Sequence, residues 1–99
     1  MIHNYDSITI HYWMISKLKL ECLELLVFAF LFKNASCGLI EWAPLAENIS
    51  LFEGILNKRI TCDMLTQVIR SLEKKELVIS YEDDNTIMIK HQTLKKIIG

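Results

Sequence analysis

The residues of this chain best suited to recognising another molecule lie between positions 58 and 90. Residues 66–91 read TQVIRSLEKKELVISYEDDNTIMIKH. Thr66, Gln67 and Arg70 stand three and four residues apart, a spacing that puts side chains on one side of a helix. A glutamine amide offers a donor beside an acceptor, and an arginine offers a planar fork of donors. Lys58, Arg59, Lys74 and Lys90 add positive charge before and after them. Such a set can hold a polar or anionic partner. A plain solvated helix face carries the same residue types.

Other chemistries find less material. The glycines are Gly38, Gly54 and Gly99, so no phosphate-cradling loop is available. His3, His11 and His91 are far apart, and none is spaced with a cysteine or an acid as a metal pair. Asp83 and Asp84 could attract a cation, but a lone acidic turn ordinarily faces solvent. No enzyme, no metal and no cofactor is expected.

Ninety-nine residues make one domain, 1–99. The chain is 52% hydrophobic and 23% charged, which excludes a disordered tail and permits a core. A chain this short buries only part of its apolar surface when alone. The apolar surplus therefore predicts a homodimer, with Trp13, Phe28 and Phe32 as candidate residues near the contact. Cys22, Cys37 and Cys62 are odd in number and lack CxxC spacing, so a disulfide framework is not expected. No cationic start leads into an apolar stretch and a cleavage site. The longest apolar run, 25–32, falls far short of the roughly 20 residues a membrane span needs. A cytoplasmic protein that does not enter membranes is the expectation.

Net charge is −1 and unevenly spread. Residues 1–54 carry three lysines and six acids, for −3, while residues 55–99 carry eight Lys/Arg and six acids, for +2. Between Asn34 and Asn57 there is no basic residue, but Glu41, Glu47 and Glu53 are present. This is not the broadly basic balance of a nonspecific nucleic-acid binder.

The elements that must position residues 58–90 can be read from periodicity. Ile8-Thr9-Ile10 alternates and predicts a short strand, followed by a helical turn around Trp13, Met14 and Ile15. Residues 21–33 predict a central helix, apolar all round from 25 to 32, with acids at its start and Lys33 at its end. Residues 34–38 end it. Residues 38–42 suit a short extended piece, and Pro44 suits a first helical position. Residues 45–56 read as one or two short helices with Leu45, Ile49, Phe52, Ile55 and Leu56 inward. Thr61 is a candidate N-cap, with Asp63 in the first turn. From there Met64, Leu65, Val68, Ile69 and Leu72 follow helical spacing to residue 75. The opposite face carries Asp63, Thr66, Gln67, Arg70, Glu73 and Lys74. Residues 77–81 and 86–90 are β-rich runs around a turn at 82–85, with Ile87 and Ile89 inward and Met88 outward. Residues 93–98 suit a last helical turn. The class is mainly α with a small β-hairpin, α+β.

The run Val68-Ile69-Arg70-Ser71-Leu72-Glu73-Lys74-Lys75-Glu76-Leu77-Val78, entered through Ile60-Thr61 and followed by a hairpin, resembles a winged helix-turn-helix domain. It is similar to small regulators and to the amino-terminal domains of plasmid and phage replication proteins. Ile8-Thr9-Ile10, Trp13 and residues 23–30 are similar to the opening strand and first helix of the replication-type members. The resemblance covers most of the chain. It departs from the pattern at Glu76, where many relatives have glycine, in the long stretch 43–60, and in the acidic turn Glu82, Asp83, Asp84.

The resemblance implies binding to double-stranded DNA, in transcription regulation or replication. The helix over 61–75 would enter the major groove. Thr66, Gln67 and Arg70 would meet base edges, since Gln can pair with adenine and Arg with guanine. Lys58, Arg59, Lys74 and Lys90 would hold phosphates. The acids of 41–53 and 82–84 have the wrong sign for a phosphate backbone. They point either to DNA contact confined to that helix and its basic neighbours, or to a winged-helix module that binds a protein and not DNA.

Overall fold

The computed structural model describes residues 8–34, 39–81 and 85–98. Among the described residues six helices and three strands follow in the order α1 (Tyr12–Ser16), α2 (Cys22–Asn34), β1 (Leu39–Glu41), α3 (Trp42–Glu47), α4 (Ile49–Leu56), α5 (Cys62–Lys74), β2 (Val78–Tyr81), β3 (Thr86–Ile89) and α6 (His91–Ile98). The fold is mainly helical with an antiparallel hairpin, as the α+β expectation has it.

Helix α2 is central because its sequence leaves no polar stripe. Leu23, Leu26, Val27, Phe28, Ala29, Phe30 and Leu31 are all buried, and α1, α3, α4 and α5 pack around them. Glu24 in the first turn and Lys33 in the last complement the helix dipole. The stretch after α2 folds as two helices. Leu45 and Phe52 are buried, and Ile49 and Leu56 pack half-buried against them.

Several expectations need correction. Residues 8–11 form no strand. Alternation makes a strand only where a neighbour completes the hydrogen-bond ladder, and the three strands of this sheet pair with one another. Ile55 does not point inward but stands 51% exposed, because α4 turns that flank to solvent. Pro44 is the third residue of its helix, not the first. It is tolerated there because amides in the first turn have no intrahelical acceptor to lose. Phe28 is completely buried, so it cannot touch a second copy. Its ring lies 6.3 Å from Trp13 and 6.2 Å from Phe32 within the same chain.

The strand order is β1-β3-β2, all antiparallel. Leu39, Ile40 and Glu41 pair with Met88, Ile87 and Thr86, and Val78 through Tyr81 pair with Ile89 through Thr86. Ile87 and Ile89 are buried while Met88 is half-exposed, as the period-2 pattern requires. The expected turn at 82–85 lies outside the described residues except for Asn85, which adopts a left-handed conformation at φ 52°. Helix α6 starts two residues earlier than expected and buries Leu94.

Candidate nucleic-acid interface

Helix α5 sets the geometry of the candidate site, and its ends are well specified. Thr61 is the N-cap in extended conformation, and its Oγ1 accepts from the Met64 amide at 3.2 Å. At the other end Glu76 takes φ 62°, the left-handed region that glycine ordinarily fills. The Glu76 amide donates to the Glu73 carbonyl at 2.9 Å and the Leu77 amide to the Leu72 carbonyl at 3.0 Å. Those two bonds, with buried Leu72 and Leu77 beside them, make a Schellman stop. The chain is thereby turned directly into β2.

The helix buries Leu65, Ile69 and Leu72, with Met64 and Val68 half-buried at the margin. What remains outward divides into three parts. Gln67, Arg70 and Lys74 are exposed and follow one another at steps of three and four, so they form a continuous ridge. Asp63, also exposed, precedes Gln67 by one turn. Thr66 and Glu73 lie on the flank facing the sheet and are half-buried. The Thr66 hydroxyl donates back to the Cys62 carbonyl at 3.1 Å, which leaves it only as an acceptor. The Glu73 carboxylate accepts from the Ser80 amide at 3.3 Å and so ties α5 to β2.

On the opposite flank Gln67, Lys58 and Ser71 border a shallow groove toward the start of α2. There Glu24 accepts from the Ser71 hydroxyl and pairs with Lys75. Lys58 and Arg59 are both exposed in the link between α4 and α5. Asn57 opens that link at φ 53°, a conformation asparagine tolerates. Glu53 closes it by accepting from the Ile60 amide at 2.9 Å. Glu53, one of the acids of the wrong sign for phosphate, therefore serves the turn itself.

Lys58, Arg59, Gln67, Arg70 and Lys74 thus come from one helix and the link that feeds it. Among the described residues none of the four cationic side chains has an ion-pair or hydrogen-bond partner. Lys90 stands apart. It borders a groove between β3 and α6 with Glu76, Met88, His91 and Lys96. The acids Glu82, Asp83 and Asp84 lie outside the described residues. Sequence reasoning missed Trp42, Ser80 and Asn85, which border a cleft beside Arg70. They come from separate segments, and no local spacing could have joined them.

Trp13 and Phe32 are half-buried and touch each other edge to face at 5.2 Å, with His11 packed on both. Tyr12 beside them is 81% exposed and Ile15 is 47% exposed. Among the described residues no three His, Cys, Asp or Glu side chains converge as a metal site, and no helix is long and apolar enough to cross a membrane. Compared with protein-family models, curated proteins and solved structures, the chain matches none.

Proposed function

We propose that this chain is a winged helix-turn-helix protein that binds double-stranded DNA through α5, in transcription regulation or in plasmid- or phage-type replication. The observation that carries this reading is the ridge Gln67, Arg70, Lys74, exposed and free of ion pairs within the described residues, directly before a hairpin and next to Lys58 and Arg59. The order of helices and strands supports it. In this reading α4 and α5 are the helix pair, and β2 and β3 are the wing.

The chemistry then divides by position. Gln67 and Arg70 reach base edges, where an amide suits adenine and a guanidinium suits guanine. Lys58, Arg59 and Lys74 neutralise phosphates and set the register. Thr66 contributes less than the other two, because it is half-buried and its proton is already donated. The protein is a cytoplasmic binding protein without cofactor or reaction. It works as a homodimer whose contact includes Trp13 and Phe32 with the exposed Tyr12 and Ile15.

Fluorescence anisotropy of a labelled duplex at low and moderate salt tests this. Three phosphate contacts give a log-log salt slope of about −3, at roughly −0.9 for each. Absence of binding at low salt would favour a second reading, a winged-helix module that docks a protein. Ile55, 51% exposed on α4, favours that reading, since an aliphatic side chain gains nothing from phosphate.

A further inference from the structure

A cleft of about 210 Å³ opens between α5 and the sheet. Ile69 and Ile87 form its apolar floor, and both are buried. The half-buried Trp42 forms one wall, and Arg70 and Glu73 border it from α5. Two hydrogen bonds between separate elements hold these parts together. The Trp42 amide donates to the Asn85 carbonyl at 2.7 Å, and the Ser80 amide donates to Glu73 at 3.3 Å. The first ties the start of α3 to the hairpin, and the second ties α5 to β2. The cleft therefore lies between elements that these two bonds tie together.

Its chemistry is asymmetric. The Glu73 carboxylate is engaged by a backbone amide, whereas the Arg70 guanidinium has no ion-pair or hydrogen-bond partner among the described residues. Arg70 is thus the one cation lining the cleft among the described residues, with its guanidinium free, above an aliphatic floor and beside an indole. The volume lies below the roughly 300–1,000 Å³ typical of sites for drug-sized ligands. A single ring with one anionic group suits that space. A carboxylate meets the planar guanidinium in a two-bonded pair. An aromatic ring packs on indole and aliphatic carbon.

We propose that this cleft binds a small aromatic carboxylate, with the ring between Trp42 and the Ile69–Ile87 floor and the carboxylate on Arg70. Arg70 is also the base-reading residue proposed above, so ligand and DNA compete for it. That consequence rests on the DNA reading, while binding of the ligand does not.

The test uses benzoate as probe and nuclear magnetic resonance of the isotope-labelled wild-type chain. Benzoate should give saturable shifts of the Trp42 indole N–H and of the Arg70 and Ile87 amides, with a midpoint of about 1 mM for so small a ligand. Benzamide, which has the same shape without the charge, should shift them at least tenfold more weakly. Arg70→Gln should weaken benzoate binding to the same degree while keeping the wild-type spectrum elsewhere. Absent shifts, shifts centred on Trp13 or on the lysines of α6, or equal responses to benzoate and benzamide would each overturn the proposal. In the DNA assay, benzoate at ten times its own midpoint should raise the apparent Kd about tenfold by simple competition. Unchanged DNA affinity would overturn the shared use of Arg70. A chain that binds benzoate but no DNA would refute the DNA reading and leave the cleft assignment standing.

Discussion

Replacing Glu76 with glycine should stabilise the protein. Glu76 ends α5 at φ 62°, and its side chain is exposed with no partner among the described residues. For an L-residue the left-handed region costs about 1–2 kcal/mol, because Cβ crowds the following carbonyl. Glycine removes that clash, but it loses more freedom on folding, worth roughly 0.5–1 kcal/mol. The difference is a net gain of about 0.5–1 kcal/mol. With a typical urea slope of about 1–3 kcal/mol/M, the midpoint should rise by roughly 0.2–1 M. The melting temperature should rise by about 2–8 °C for a chain of this size. Glu76→Ala keeps the Cβ and should recover little of this gain. Urea unfolding followed by far-ultraviolet circular dichroism reads all three proteins on one scale. If glycine destabilises, or if alanine gains as much as glycine, then relief of the left-handed conformation is not what decides the outcome.

Leu72→Ala should destabilise by about 2–5 kcal/mol in the same assay, because Leu72 is fully buried under α5 and its loss leaves a cavity. Thr61→Ala should cost about 1 kcal/mol through the lost cap on the Met64 amide, whereas Thr61→Ser should be close to neutral. Light scattering at high micromolar concentration should give twice the chain mass, and Tyr12→Glu with Ile15→Glu should return it to one. A wild-type monomer under those conditions would remove the homodimer from the account.

Legibility followed the range over which each signal acts. The cap at Thr61, the burial of Leu65, Ile69 and Leu72 on α5 and the alternation of Ile87, Met88 and Ile89 are readable, because each is set by neighbours within a turn or a pleat, whereas Val68, expected inward with them, is only half-buried. The strand expected at Ile8–Ile10 failed because a strand also needs a partner, and pairing is not local. Ile55 failed for a related reason. Its spacing fits an inward face, but the packing of α4 against α2 decides how much of that face is covered. The candidate site was legible as residue types on one helix. Its division was not. The Glu73–Ser80 bond turns one flank of α5 into a cleft wall, and the Glu24–Ser71 and Glu24–Lys75 contacts dress the other. The use of Glu53 to close the link at Ile60 was equally hidden, since sequence gives its charge and not its partner.

The most direct test of the central claim is to select a duplex from a randomised pool with the wild-type chain, then measure Arg70→Ala on that duplex and on its single-base variants. If α5 reads DNA, Arg70→Ala should weaken binding to the selected duplex by about 1–3 kcal/mol. It should also flatten the discrimination at one base pair while leaving the salt slope near that of wild type. Lys74→Ala should instead weaken all duplexes alike and make the slope shallower by about one unit. Failure of the selection to enrich any sequence, together with equal loss on every duplex when Arg70 is removed, would contradict base reading by α5.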